Sequence, residues 1–134
     1  MILVDTSVWI DYFRGKTVAH TAELTRLIET DSVAVCPVIF TEILSGIAED
    51  VMHREISILL DAYFKLDMEP YEAARKAAEI YRAVRKKGKT IRKHNDCLIA
   101  AFAIYHRIPL LHADKDFDVI ARCVPLALHT GKSA

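Results

Sequence analysis

Four acidic residues in this sequence stand beside apolar segments, and carboxylates in such places can bind a metal ion. Asp5 follows the apolar run ILV, and Asp114 comes shortly after an apolar segment that ends at Leu111. Asp96 immediately precedes the run CLIAAFAIY, and Glu42 lies inside an apolar helical pattern. Carboxylates gathered in one place raise one another's pKa unless a cation lies among them. Oxygen ligands prefer hard divalent cations such as Mg²⁺ or Mn²⁺ over zinc.

Each of these acids also has an ordinary structural explanation when it is considered alone. Asp5 could cap a helix or form an Asx-turn, and the helix dipole favours Asp96 in a first turn. Glu42 lies off the apolar stripe of its helix, where surface glutamates are common. The alternating acids of 114–118 do not form an EF-hand loop, because the required glycine and final glutamate are missing. The metal site is therefore a hypothesis that depends on the four acids converging.

Short apolar segments alternate with helical patterns along the chain, which is typical of a parallel α/β sheet. The predicted strands are 2–4, 32–35, 65–68, 109–111 and 124–126. The predicted helices are 8–13, 20–30, one that begins at Pro37, 51–63, 71–86, 95–106 and a short one through Ala121. Either Thr6 or Ser7 is expected to cap the first helix. We therefore expect a sheet of about five short strands with helices on both faces, and ligands at the carboxyl ends of its strands.

The charge distribution places a basic segment on an otherwise acidic protein. The formal net charge is zero, yet 82–93 contains seven Lys and Arg residues and no acid. One interpretation is a solvated helix end, where basic side chains complement the helix dipole. The other is attraction of a phosphate backbone, which the overall charge would conceal.

Length, cysteine content and hydropathy indicate the class of protein. A chain of 134 residues suits a single domain spanning 1–134. Three widely spaced cysteines imply no disulfide framework. The longest apolar run, 97–105, is shorter than the ~20 residues that cross a bilayer. These features predict a reduced cytoplasmic protein that does not associate with membranes.

Four motifs together resemble those of the PIN-domain ribonucleases. They are VDTSVWIDYF at 4–13, TEILSG at 41–46, NDCLIAA at 95–101 and LLHADKDFD at 110–118. More narrowly, they are similar to the VapC toxins of bacterial and archaeal toxin–antitoxin pairs. The resemblance implies a PIN-like three-layer α/β fold and a metal-dependent endoribonuclease that uses Mg²⁺, with Mn²⁺ as an alternative.

The resemblance also implies roles for individual residues. It assigns catalysis and metal binding to Asp5, Glu42, Asp96 and Asp114, with Asp5 as the central ligand and Asp116 as a further acid near the metal. A small hydroxyl, Thr6 or Ser7, would support Asp5, and Asn95 would be a polar neighbour of Asp96. The basic segment leads directly into Asp96, so it could hold substrate phosphates through Arg85, Lys86, Lys89, Arg92 and Lys93.

Partners follow from the same resemblance. The substrate would be RNA, and a VapB-like antitoxin would cover a hydrophobic groove near the first helices and place a basic side chain among the acids. A homodimer is also implied. The alternative is a catalytically silent PIN domain that binds protein or RNA, which would be expected to have lost acids that this chain keeps.

Overall fold

A computed structural model of the protein describes residues 1–130 and shows a parallel sheet built around the first strand. The strands are Ile2–Val4 (β1), Val33–Val35 (β2), Phe64–Lys65 (β3) and Leu110–Leu111 (β4). They lie in the order β3-β2-β1-β4, and every neighbouring pair is parallel. Val4 pairs with Leu111, and the Asp5 amide donates to the Leu111 carbonyl at 2.9 Å. The carboxyl ends of β1 and β4 therefore lie side by side.

The helices connect these strands and extend beyond them. They are Thr6–Phe13 (α1), Ala19–Glu29 (α2), Pro37–Ser45 (α3), Asp50–Asp61 (α4), Pro70–Lys86 (α5), His94–His106 (α6) and Lys115–Cys123 (α7). Pro37 and Pro70 occupy first turns, where a missing N–H removes no helical hydrogen bond. Gly88 has a φ of +73°, which suits the turn after α5 because glycine adopts positive φ without strain.

The core surrounds the sheet on both faces. Strands β2 and β4 are completely buried, and in β1 only Ile2 is partly exposed. Buried strands with apolar residues on both faces are typical of a parallel sheet covered by helices. Helix α6 contributes a nearly continuous apolar surface, and it contacts α3, α5 and α7. This packing fixes the position of the first turn of α6, which carries Asp96.

The structure differs from the sequence prediction at the edge of the sheet and at one helix start. Four strands are present within residues 1–130, and the expected strand 124–126 is wrong: pairing with β4 is a single bridge at Leu128. Pro125 has no N–H to donate, and the Val124 amide already bonds to Ile120 in α7.

The residue that caps α1 is Asp5, not Thr6 or Ser7, because its side chain accepts from the Ser7 amide.

Two further expectations concern the domain bounds and membrane-spanning helices. The predicted domain of 1–134 includes 131–134, which lie outside the described residues. Across residues 1–130 no helix combines the length and the apolar character that crossing a membrane requires.

Candidate active site

A cavity at the carboxyl ends of β1 and β4 brings the four predicted acids together. Its volume is about 370 Å³, and its lining includes Asp5, Glu42, Asp96 and Asp114. Asp5 directly follows β1, and Asp114 follows β4 after two residues. Glu42 comes from α3 and Asp96 from the first turn of α6. Acids far apart in the sequence thus share one cavity because four elements end or pass there.

Asp5 is held by the residue two positions after it. It is only 4% exposed, and one of its oxygens, Oδ2, accepts bonds from the Ser7 amide at 3.0 Å and the Ser7 hydroxyl at 2.5 Å. Burial raises the pKa of Asp5, and the nearby Glu42 raises it further, while the bonds from Ser7 act in the opposite direction. Ser7 Oγ also accepts from the Ala113 amide at 3.0 Å. Ser7 therefore joins the end of β1 to the loop after β4.

Asp96 is the most completely buried acid of the site. It is 2% exposed, and its Oδ2 has no hydrogen-bond partner among the described residues. Burial, together with the charges of Asp5, Asp114 and Glu42, raises its pKa to about 7, although Lys93 acts in the opposite direction. A buried carboxylate oxygen without a partner is costly, and a bound cation would satisfy it.

The closest group of acids is formed by Asp96, Asp114 and Asp116. One oxygen from each lies within 4.8 Å of the others. Asp5, which the sequence predicts to be the central ligand, lines the same cavity as Asp96 and Asp114. Asp114 Oδ1 accepts from the Asp116 amide at 3.0 Å, so the cap of α7 brings the two side chains together. Three carboxylates with an unsatisfied oxygen among them fit a hard divalent cation such as Mg²⁺ or Mn²⁺.

One hydroxyl side chain and one amide side chain hold Glu42. The Thr6 hydroxyl donates to Glu42 Oε1 at 2.7 Å, and Asn95 Nδ2 donates to Glu42 Oε2 at 3.5 Å. Of the two hydroxyls considered as supports of Asp5, Ser7 therefore contacts Asp5 and Thr6 contacts Glu42. Asn95 neighbours Asp96 in the chain but orients a different acid.

The basic residues divide into two groups. Arg92 donates from Nε to Asp116 Oδ2 at 3.2 Å and from Nη2 to Asp114 Oδ1 at 3.5 Å, and Lys93 lines the acidic cavity. Arg85, Lys86 and Lys89 are exposed at the end of α5 and in the loop that follows. The first part of the basic segment is therefore exposed to solvent, and its last two residues, Arg92 and Lys93, lie beside the acids.

His112 contacts the acidic loop and was not singled out by the sequence analysis. Its Nδ1 accepts the Asp114 amide at 3.1 Å, and its Nε2 lies 3.3 Å from Asp118 Oδ1. In the sequence, His112 stands between an apolar strand and Asp114. That position alone does not distinguish an ordinary loop residue from one that holds the Asp114 backbone.

Comparison with known proteins identifies the family to which this chain is related. The PIN domain family matches residues 2–122. Ribonuclease VapC11 of Mycobacterium tuberculosis is 44% identical over 128 residues, which cover 94% of this chain and 96% of that protein. Among solved structures, VapBC-1 from nontypeable Haemophilus influenzae has a TM-score of 0.75 at 17% identity, covering 98% of each chain. A toxin–antitoxin complex from Klebsiella pneumoniae has a TM-score of 0.67 at 19% identity, covering 86% of this chain and 88% of that one.

The two structural neighbours share the fold, and the sequence relative is close enough to define the family. Identity of 44% extends across nearly the full length of both proteins, and the family match over residues 2–122 spans the segments that carry the acids described above. The chain therefore belongs to the PIN domain family and, within it, to the VapC ribonucleases.

Proposed function

We propose that this protein is a metal-dependent endoribonuclease of the VapC type that hydrolyses RNA phosphodiester bonds in the cytoplasm. The observation that carries the proposal is the buried, unpartnered oxygen of Asp96 within a cavity lined by three more acids. Its relative VapC11 is named a ribonuclease, which agrees with this chemistry. Retention of all four acids favours catalysis over a silent binding domain.

In this proposal the acidic and basic side chains of the site have different roles in hydrolysis. Asp96, Asp114 and Asp116 would hold the cation, with Asp5 facing the same cavity. A bound Mg²⁺ or Mn²⁺ would supply a Lewis acid for the scissile phosphate and would lower the pKa of the attacking water. Glu42, held by Thr6, would orient that water, and Lys93 would attract a phosphate oxygen.

The chemistry of the RNA ends tests this proposal. Because water is the nucleophile, the purified protein with Mg²⁺ or Mn²⁺ should leave a 5′-phosphate and a 3′-hydroxyl on each fragment, as read by end-specific ligation and sequencing. The same reaction in excess EDTA should give intact RNA. Unchanged cleavage in EDTA would contradict the metal mechanism. Intact RNA with either metal would favour the silent binding domain.

A VapB-like antitoxin is the proposed protein partner. Helices α1, α3 and α4 border an apolar groove of about 480 Å³ whose lining includes Phe13, Ile43 and Met52. Ile10 and Glu42 line both this groove and the acidic cavity, so the two are adjacent. An apolar segment in the groove could therefore present a basic side chain to the acids. The solved Klebsiella pneumoniae neighbour is a toxin–antitoxin complex, which supports this kind of partner.

A homodimer is the second proposed assembly, and it rests on the family alone. Analytical ultracentrifugation of the purified protein would measure the mass of the species in solution. A mass close to the 15.1 kDa of one chain would contradict the dimer.

The exposed part of the basic segment is expected to bind the RNA backbone. Replacing Arg85, Lys86 and Lys89 by Ala should weaken binding and reduce its dependence on salt, because each phosphate contact releases a counterion. The slope of log K against log salt should fall by about 2, at ~0.7 for each contact with a single strand. Fluorescence anisotropy with labelled RNA in EDTA measures this without cleavage.

A matched variant separates local contacts from overall charge. Replacing Arg54, Arg75 and Lys76 by Ala removes the same charge from α4 and the first half of α5. This control should leave the slope close to that of the wild type. If both triple variants show the wild-type slope, the segment 82–93 is only a solvated helix end and loop.

A further inference from the structure

We propose that His112 is a positioning residue that holds Asp114 in place for metal binding, with Asp118 as the carboxylate that orients the imidazole. This inference rests on the proposed function, because Asp114 is one of the acids assigned to the cation. His112 itself touches neither the cation nor the RNA in this proposal. Its effect reaches the site through the backbone of the loop between β4 and α7.

The hydrogen bonds of His112 fix which ring nitrogen carries the proton. A backbone amide can only donate, so Nδ1 must accept the bond from the Asp114 amide at 3.1 Å. The proton of the neutral ring is therefore on Nε2, and Asp118 Oδ1 lies 3.3 Å from that nitrogen. The negative charge of Asp118 at this distance favours the tautomer that the loop requires.

Packing also restricts the ring of His112. The side chain of His112 is 11% exposed, and its ring centroid lies 5.4 Å from that of the fully buried Phe117. Phe117 belongs to α7, the helix whose first turn contains Asp116. The imidazole is therefore fixed between the helix that carries one acid and the backbone amide of another.

Two consecutive amides of the loop are held by side chains. Ser7 Oγ accepts the Ala113 amide at 3.0 Å, and His112 Nδ1 accepts the next amide, that of Asp114. Ser7 anchors the loop to Asp5, whereas His112 anchors it to α7. Without the second bond, the Asp114 amide loses its acceptor and the loop can rotate around the Ser7 contact. The carboxylate of Asp114 would then spend less time near Asp96 and Asp116.

Mn²⁺ binding measured by isothermal titration calorimetry tests the inference without relying on activity. His112→Phe keeps the ring against Phe117 but removes the acceptor, and we expect Mn²⁺ binding to weaken by about tenfold, within the usual range for such supporting contacts. His112→Asn offers a carbonyl oxygen near the position of Nδ1 and should bind Mn²⁺ with the affinity of the wild type. In RNA cleavage, His112→Phe should need correspondingly more Mn²⁺ for half-maximal rate, with KM for RNA unchanged.

A second histidine provides the control. His106 also bonds to a backbone group, the Asp67 carbonyl at 2.7 Å, and its ring meets that of Tyr105 edge to face. It lies ten residues after Asp96 on α6, about 15 Å along the helix. His106→Phe should leave Mn²⁺ binding and its half-maximal concentration in cleavage as in the wild type.

Each outcome decides the question. Wild-type Mn²⁺ affinity in His112→Phe would overturn the positioning role, and so would equal weakening in His112→Phe and His112→Asn, because the acceptor would then be irrelevant. Should His112→Phe fail to fold, Asp118→Ala provides a second test. It removes the carboxylate that orients the imidazole and is expected to weaken Mn²⁺ binding about threefold. Unchanged binding in Asp118→Ala would overturn the role of Asp118. Absence of Mn²⁺ binding in the wild type would instead overturn the proposed metal site, and this inference with it.

Discussion

Asp96→Asn is expected to abolish RNA cleavage and, at the same time, to stabilise the metal-free protein above neutral pH. The amide has the same shape but offers one oxygen without charge, so the trio with Asp114 and Asp116 loses an anionic ligand. A bound cation supplies several kcal/mol of transition-state stabilisation. The cleavage rate should therefore fall by about 10²–10³-fold or more.

The stability gain follows from the protonation of Asp96. In the folded protein its pKa is about 7, against an ordinary value of 3.8. Between these values the folded state keeps a proton that the unfolded state has released, so folding stability falls as pH rises from about 4 to 7. The loss above pH 7 amounts to about 4 kcal/mol for this difference in pKa. Asparagine is neutral at every pH and avoids this loss.

Thermal unfolding in EDTA, followed by circular dichroism at pH 4 and pH 8, measures the effect. At pH 8 the variant should unfold about 10 °C above the wild type, and the difference should nearly vanish at pH 4. A lower unfolding temperature for the variant at pH 8 would show that the buried carboxylate is already compensated within the protein. Full cleavage activity would remove Asp96 from the catalytic site.

Asp5→Asn is expected to eliminate cleavage while the fold is preserved. Asparagine is as good a helix cap as aspartate, and its carbonyl oxygen can keep both bonds from Ser7. The start of α1 should therefore be unchanged, and the unfolding temperature of the metal-free protein should be no lower than that of the wild type, because burial raises the pKa of Asp5 and its charge does not stabilise the fold. The cavity loses one of its four charges, and we expect cleavage to fall by about 10²-fold or more.

Asp11→Asn is the matched control on the same helix. Asp11 accepts from His20 Nε2 at 2.6 Å and lies outside the residues that line the acidic cavity. The substitution removes the same charge from α1 and keeps an acceptor for His20, so cleavage should remain near that of the wild type. Equal losses in both variants would show that the charge of α1 matters and that Asp5 has no special role.

The convergence of the acids was predictable because it depends on the positions of strands and helices, which sequence patterns indicate, and not on individual side-chain contacts. Asp5 and Asp114 follow apolar strands of a parallel sheet, and such strands end at a common edge. Asp96 could be placed at the start of a helix that is apolar on nearly every side. For Glu42, which lies inside α3, the resemblance to a family was decisive, since its position off the apolar stripe indicated only a surface residue.

The finer arrangement of the site depends on geometry that sequence patterns do not contain. The trio includes Asp116 because Asp114 caps α7 through the Asp116 amide, a contact that depends on where that helix begins. For the same reason, the cap of α1 is Asp5 and not Thr6 or Ser7, the two residues predicted from the sequence. Arg92 is a long side chain that is 67% exposed, and its place between Asp114 and Asp116 follows from the path of the preceding loop.

The central position of β1 has a consequence for the order of events during synthesis. β1 lies beside β4 in the sheet, yet β4 and the acids 114 and 116 are synthesised after all of the helices from α1 to α6. A nascent chain that ends before β4 has Asp5, Glu42 and Asp96 but lacks Asp114, Asp116 and the Ala113 amide that donates to Ser7. The proposed nuclease would therefore acquire its complete set of acids only after β4 and the loop that follows it have been synthesised.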